Sequence, residues 1–562
     1  MQQLDVIVIL LFTVIILVAG LSFGKKGGDM KSFFAAGGAV PWPINGLSLF
    51  MSFFSAGTFV VWGSIAYEWG WVSVTIQMTM CASGFIIGKY LAPKWKETQV
   101  LTVAQYLTNR FGRGVQRYYT YIFLFLSLGY TGAFLYPVAK IVNVVTGFDI
   151  YYAILLLGGI IMVYTAVGGL WAVVVTDVLQ FVILTAAVLI VLPLSLDKVG
   201  GMSNFLETAP DTFFNIFNGE YTPLFIFAFI GYNTIFIGGN WAYVQRYTSV
   251  STVRNASKVG YLFGALYLIS PLIWMLPPMI YRVIDPSLVG LESEGAYLMM
   301  CMAVLPMGML GLMLGGMIFA TASSVNTSLN LAAAVLTNDI YKPLFPNASN
   351  KKLMQVARIA TLLFGLGTVG VAFMVPMAGG IVEVVLSIGA VTGGALYGPA
   401  IWGLFSKRQT GASILWVTGI SLGVNLFFKF VSPVLINIKL DRSEEMFLGV
   451  GLPILLLAFY ELWARQRGRF SSQYASFIKG KMEVTDIEDS DSHRQNKYGI
   501  RVLGLAFLAI GFIFIALGIN ADKGAVYTLV MGGIITVLGI TLIWRTRTEN
   551  IIRDKVESGK LK

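Results

Sequence analysis

The chain has 562 residues, of which 56% are hydrophobic and only 12% charged, and its mean hydropathy is +0.76. Globular domains average about 25% charged residues, so a soluble enzyme or binding module is excluded and a polytopic membrane protein is indicated. The net charge of +11 does not mark a nucleic-acid surface, because most of the 39 Lys and Arg fall on one side of the spans set out below.

Apolar runs of about 20 residues, the length that crosses a bilayer, recur from end to end. Fifteen spans are expected, at 4–24, 42–66, 71–92, 116–143, 150–170, 175–196, 223–245, 259–283, 303–337, 357–377, 380–405, 411–434, 445–463, 500–519 and 525–544. An odd number puts the N-terminus outside and the C-terminus in the cytoplasm. Lys25-Lys26, the segment from Lys89 to Arg117, Arg465 to Arg469 and the tail from Arg545 then lie inside. The acidic loop 197–222 lies outside. The first run follows Asp5 without a basic stretch before it, which predicts a retained span rather than a cleaved leader. Cys81 and Cys301 sit in or beside apolar runs and suggest no disulfide framework, and the lone His493 argues against histidine catalysis or a histidine metal site.

In the second segment, glycines at 46, 57 and 63 with Ser52, Ser55 and Thr58 interrupt an apolar helix. Two readings stand at this point: a close-packing face, or a helix unwound midway whose freed carbonyls hold a cation. Further on, Thr176, Asp177 and Gln180 lie in the cytoplasmic third of a helix. A carboxylate there is costly without a partner and points to function, although a structural interfacial role also fits. Segment 223–245 is again broken, by Gly238-Gly239, with Gln245-Arg246 at its inner end. The two broken helices start on opposite sides and each opens a block of five, the pattern of an inverted 5+5 repeat. In Leu312–Tyr341, Ala320, Ser323, Ser324 and Thr327 share one helical face of hydroxyls without charge. That face suits either helix packing or a hard monovalent cation. After 465 comes a mixed-charge, Ser-rich stretch, read as a solvated linker, and then two spans of unassigned role.

Several of these residues together carry a family resemblance. They are Gly168-Gly169-Leu170, Thr176-Asp177 with Gln180, Gln245-Arg246, Ala320-Thr321-Ala322-Ser323-Ser324, Asn330, Asp339-Ile340-Tyr341 and Trp402-Gly403-Leu404-Phe405. Over about residues 1–465 the chain resembles the sodium/solute symporter family, which includes sodium-coupled sugar, proline and sialic-acid carriers. The resemblance implies an all-α LeuT-type fold. It would comprise an N-terminal extra helix and loop (1–41), a first repeat (42–196), an outer loop (197–222) and a second repeat (223–405). Additional helices (406–469), the polar linker (470–499) and two C-terminal helices with a basic tail (500–562) would complete it. It implies sodium-driven uptake of a small polar solute across the plasma (inner) membrane, with Na⁺, the solute and the bilayer as partners and no nucleic acid or obligatory protein partner.

Carried over residue by residue, the shared sodium site would use the carbonyls of Met51, Phe54 and Ala320 and the hydroxyls of Ser323 and Ser324. Five neutral oxygens replace a hydration shell without trapping the ion. Asp177 and Thr327 match a second sodium site found in some members, with Asn326 standing where one serine would be. The substrate positions depart from the sugar carriers: Thr58 stands for a glutamine, Gln77 for a glutamate, Met80 for a serine, Tyr267 for a lysine and Leu386 for a glutamine. Asn233 is kept, and Tyr130 stands for the arginine that sialic-acid carriers use. The resulting pocket, Thr58, Trp62, Gln77, Tyr130, Asn233, Phe236 and Tyr267, is aromatic, polar and uncharged, which suits a neutral sugar or polyol. Lys140 and Glu383, at outer helix ends, read as snorkelling or pairing groups. A proton-coupled carrier of the same fold and a symporter-like sensor are the alternatives. The hydroxyl pair Ser323-Ser324 argues against the first, and the shortness of 470–499 against a fused signalling module.

Overall fold

The structure is a computed structural model that describes residues 2–21, 40–100, 102–164, 170–482, 490–521 and 523–557. The described residues form helices and no named strand. Apart from the short helices Met202–Thr208 and Lys342–Leu344, they are in chain order α1 (Gln3–Leu21), α2 (Trp42–Met51), α3 (Gly63–Trp69), α4 (Val72–Glu97), α5 (Val103–Phe111), α6 (Arg113–Thr146), α7 (Ile150–Tyr164) and α8 (Leu170–Val199). Then follow α9 (Pro223–Gly239), α10 (Trp241–Thr248), α11 (Val253–Ile284), α12 (Ala296–Val304), α13 (Met309–Val335), α14 (Asn350–Met374) and α15 (Ile381–Phe405). The last five are α16 (Gly411–Leu435), α17 (Arg442–Gln466), α18 (Ser472–Met482), α19 (Ser490–Ile519) and α20 (Ala525–Glu557).

Among the described residues ten helices are long and apolar enough to cross a membrane, or eleven if the bent pair α9–α10 is one span. The other expected segments are present as shorter apolar helix in α1, α7 and α13, and as the interrupted α2–α3. Two of the expected segments, α2–α3 and α9–α10, are interrupted rather than continuous helices.

Both expected interruptions occur. Between α2 and α3 the backbone leaves the helix at Ser52 and returns through a π-turn, Thr58–Trp62. Between α9 and α10 it bends by 65° at Asn240, just past the Gly238-Gly239 pair. Asn240 is extended (φ −62°, ψ 133°), and its side-chain oxygen accepts the Ala242 N–H at 3.0 Å, capping α10. The Gly238 carbonyl takes the Trp95 indole N–H at 2.7 Å, so the break leaves that group paired although buried. A methyl group at Gly239 would come within 2.8 Å of the Tyr397 Cβ, so glycine is needed where α9 meets α15.

The last two helices pack on each other through glycines spaced by seven residues: on α19 Gly504 faces Gly539 of α20, Gly511 faces Gly532, and Gly518 meets Leu529. A Cβ at Gly511 would lie 2.2 Å from the Thr536 hydroxyl. Such close backbone approach is how membrane helices associate without a hydrophobic driving force between them. Inside the stretch expected as a solvated linker, α18 is folded onto α5: Gln473 donates to the Phe111 carbonyl at 3.1 Å and accepts the Gly411 N–H at 3.2 Å. Beside it the buried Arg110 donates to the Ser406 and Gln409 carbonyls at 2.9 and 3.2 Å and lies over the Phe111 and Tyr474 rings. Burial there pushes its guanidinium below the usual arginine value.

Candidate functional site

The site is organised by hydrogen bonds that the broken helix redirects. In an unbroken helix the N–H of Ser55 would bond to the Met51 carbonyl and that of Thr58 to the Phe54 carbonyl. Instead Ser55 N–H donates to the Thr58 hydroxyl at 3.3 Å, and Thr58 N–H to the Ser55 carbonyl at 3.0 Å. The carbonyls that lose helical donors include those of Met51 and Phe54, both expected cation ligands, and that of Ser52, whose donor Ala56 turns to Thr321. The Thr58 hydroxyl also donates to the Phe53 carbonyl, so this side chain holds the break open.

Thr321 joins this break to α13. Its hydroxyl accepts the Ala56 N–H at 3.0 Å and donates to the Met317 carbonyl at 2.9 Å, and the side chain is fully buried. On the same helix the Ser324 hydroxyl leans on the Ala320 carbonyl at 3.3 Å, which puts both expected oxygens on one patch. Ser52 and Ser324 both line an internal cavity. Ser323, Asn326 and Thr327 belong to α13, but their side chains lie outside the described residues. Neutral carbonyl and hydroxyl oxygens of this kind fit a weakly charged hard cation and not a soft metal.

The same cavity is lined by Tyr130, Phe236, Tyr243 and Tyr397, and by the charged pair Asp177 and Arg246. Tyr130 shares a 2.7 Å hydrogen bond with Thr392 on α15. Its ring lies 5.7 Å from Phe236, which in turn stacks on Tyr232 at 5.4 Å. The other expected substrate residues lie elsewhere. Asn233 donates to Thr79 at 2.8 Å in the seam between α9 and α4, while its own side-chain oxygen has no partner. Gln77, 1% exposed on α4, has neither amide atom partnered. Tyr267 is packed among Phe50, Phe263 and Trp274, with ring centroids 5.1, 4.8 and 5.9 Å away. Thr58 is taken up by the helix break. Trp62 packs against Phe229, ring centroids 6.1 Å apart, so the structure brings two of the seven expected residues to the cavity, leaves two with unpaired amide atoms, and uses three in packing or the helix break.

Asp177 accepts the Ser48 hydroxyl at 2.6 Å and lies 3.7 Å from the Arg246 guanidinium. Sequence reasoning singled out Asp177 and Arg246 separately. It missed Ser48, which joins them, and gave Thr321 no role; the small hydroxyl residues of α2 and α13 were the only signal for either. At the helix ends expected to face outward, Lys140 donates to the Leu291 carbonyl at 2.8 Å, and Glu383 pairs with Lys429 and Arg442 at 3.1 and 2.8 Å. Both are pairing groups. Glu294, in the turn Gly290–Gly295, accepts the Tyr136 hydroxyl and the Ile381 N–H at 2.8 Å each. Burial raises its carboxyl above the ordinary value against the pull of these donors and of Lys140.

A family model described as the sodium:solute symporter family matches residues 33–420. The sodium-coupled monocarboxylate transporter 1 of Xenopus laevis is 29% identical, over 76% of this chain and 73% of its own length. The sodium/glucose cotransporter of Vibrio parahaemolyticus is 27% identical, over 82% and 90%. Among solved structures, a Na⁺-coupled sialic acid symporter in a substrate-bound outward-open state superposes with a TM-score of 0.68. It covers 84% of this chain and 99% of that one at 21% identity, a likeness of fold.

Proposed function

The chain belongs to the sodium:solute symporter family, and from that premise we propose that it imports a small neutral polar solute, a sugar or polyol, by sodium-driven alternating access. It is a multi-pass membrane transporter whose coupling ion is Na⁺ and whose partners are sodium and a small solute. The observation that carries the solute reading is Gln77. A buried amide with both atoms unpaired is expensive, and a hydroxyl-rich neutral ligand can both donate to its oxygen and accept from its nitrogen. The unpaired Asn233 oxygen adds an acceptor; Tyr130 and Phe236 line the neighbouring cavity and would offer the aromatic platform that sugars pack against once a bound solute reaches from there to Gln77 and Asn233.

The sodium ion would rest between the α2–α3 break and α13, on the Met51, Phe54 and Ala320 carbonyls and the Ser323 and Ser324 hydroxyls. Binding there ties the broken helix to the opposite repeat, which favours the state open to the outside and admits solute. Release to the cytoplasm lets the pair separate. The N-terminus would face outward and the C-terminus the cytoplasm of the plasma (inner) membrane.

A second reading, a small monocarboxylate, is favoured by the 29% identity to a monocarboxylate carrier and by Tyr267 and Leu386 where sugar carriers have polar groups. Proteoliposomes with an inward sodium gradient, offered labelled hexoses, inositol and short monocarboxylates, distinguish the two. Uptake of a neutral solute that stops when choline replaces sodium is expected. Uptake confined to carboxylates overturns the sugar reading, and uptake that follows a proton gradient overturns the proposed sodium-driven import.

A further inference from the structure

At the α9–α10 bend, side chains stand in for missing backbone donors. The Ala242 N–H turns to the Asn240 side-chain oxygen at 3.0 Å, and the Tyr243 N–H to the Asn240 carbonyl at 3.1 Å. In a continuous helix those two groups would serve the Gly238 and Gly239 carbonyls, which the bend therefore releases. The Trp95 indole replaces the donor at Gly238, at 2.7 Å, and the Tyr247 hydroxyl reaches the neighbouring Ile237 carbonyl at 3.3 Å. Trp95 stands in the last turn of α4 and is fully buried. A Cβ at Gly238 would lie 2.4 Å from a Leu91 methyl of α4, so glycine brings the carbonyl within reach of the indole. Tyr106 of α5 packs edge-on to that indole, ring centroids 5.0 Å apart, and its hydroxyl donates to the Ala400 carbonyl of α15 at 3.3 Å. The indole is thus seated from outside the bent pair. On the other side, Phe236, Asn240 and Tyr243 stand before, at and after the bend, and all three line the cavity. Asn240 also donates to the hydroxyl of Tyr397, a further lining residue, at 3.3 Å.

We propose that Trp95 is a positioning residue for solute binding: its indole N–H fixes the α9–α10 bend, and the bend sets how Phe236, Asn240 and Tyr243 are spaced in the cavity. The inference rests on reading that cavity as part of the solute path. Without the N–H, the Gly238 carbonyl is buried and unpaired, which costs about as much as a lost hydrogen bond. The joint then gains by adopting other angles that give the carbonyl a partner. Only molecules that hold the bend present the three side chains together, so apparent solute affinity falls by that fraction. The expected sodium site lies at the other break, α2–α3, whose hydrogen bonds to Thr58 and Thr321 do not involve Trp95. Sodium binding in the absence of solute is therefore untouched.

Two replacements in the full-length protein remove the N–H and keep a ring in the seam: Trp95→Phe and Trp95→benzothienylalanine, the second retaining the bicycle. Nitroxide labels on Phe227→Cys of α9 and Ser251→Cys just beyond α10, both exposed positions, report the bend as a spin–spin distance, with Cys81→Ala and Cys301→Ala removing the native thiols. Sodium is the only ligand added. The narrow distance distribution of the indole protein is expected to broaden or shift in both replacements, while equilibrium binding of radioactive sodium stays as in the wild type. In proteoliposomes the half-saturation for labelled glucose or myo-inositol is expected to rise about tenfold, the scale of one buried acceptor left unpaired, with the maximal rate retained. Distances that match the wild type in both replacements overturn the inference, as does a sodium affinity that falls along with the solute affinity. Should Trp95→Phe fail to fold, as judged by gel filtration, the benzothienyl protein decides. A wild type that takes up neither sugar overturns the sugar reading, and one that binds no sodium overturns the symport reading; in either case the distances still decide the role of Trp95.

Discussion

The carboxylate of Asp5 accepts the backbone N–H of Gly308 at 2.7 Å, and of Gly311 at 3.1 Å. Asp5 belongs to α1, the first helix of the chain, yet it caps the first turn of α13, the helix that carries Ser324. A negative charge at a helix N-terminus meets both unpaired N–H groups and the positive end of the dipole. A Cβ at Gly311 would lie 2.2 Å from the Asp5 carbonyl, so glycine is what lets the two backbones meet. Asp5→Ala should lower stability by about 0.5–2 kcal/mol, the usual range for a lost cap, and Gly311→Ala should do at least as much damage through overlap. Thermal unfolding in detergent, with and without sodium, measures both. An Asp5→Ala protein that melts with the wild type would leave the cap without energetic weight.

Thr321 should matter through its hydroxyl and not its methyl group. Thr321→Val keeps the shape but leaves the Ala56 N–H unpaired in a buried helix break, a loss of about 1–3 kcal/mol. Because the Met51 and Phe54 carbonyls are aimed by this same break, the apparent sodium affinity should fall with stability. Thr321→Ser should recover most of both. Valine and serine variants with equal sodium half-saturation would show that the break does not need this bond.

Much of the path to the site was legible in the chain. Gly46, Gly57 and Gly63 with Ser52, Ser55 and Thr58 suit either a packing face or an interrupted helix, and Gly238-Gly239 an interrupted one; the interruptions fall at Ser52 and Asn240. Polar residues spaced along 320–328 announced the oxygen-bearing face of α13. What stayed hidden was pairing at long range. Asp5 and Gly308, or Ser48, Asp177 and Arg246, become neighbours only once distant helices are assembled, and no local pattern encodes that contact. The docked α18 was hidden for the same reason: its polar sequence suits solvent until the Phe111 carbonyl and Gly411 N–H are placed beside Gln473.

Sodium and solute should raise each other's affinity by the same factor, because linkage is reciprocal for binding. If the ion braces the α2–α3 break against α13 and the solute needs that bracing, the coupling should be about 1–3 kcal/mol, or roughly 5–150-fold in affinity. Once a solute is found, its dissociation constant is measured with and without saturating sodium, and the sodium constant with and without solute. Ser324→Ala should weaken sodium binding roughly tenfold, by about 1–2 kcal/mol for one oxygen removed. Unequal reciprocal factors would mean that a further ion or a second state has been overlooked.

The turn that carries Glu294 should respond to pH in a predictable direction. This carboxylate joins three elements, bonding Tyr136 of α6 and the Ile381 N–H that opens α15, with Lys140 4.0 Å away and the acidic Glu68 and Glu292 nearby. Burial raises its pKa above the ordinary 4.5, even though the Ile381 and Tyr136 bonds and Lys140 pull the other way. A carboxyl raised in the folded state binds its proton more tightly there than when released. Its favourable contribution is therefore complete below the ordinary value and is lost as pH climbs through the raised one. Hydrogen exchange across residues 290–304 should accordingly show more protection at about pH 5 than at about pH 8, after correction for the intrinsic rate. Glu294→Gln, which cannot titrate, should flatten the profile while keeping one acceptor for Tyr136 or Ile381. Protection that instead grows with pH in the wild type would mean that Lys140 and the two donors outweigh burial.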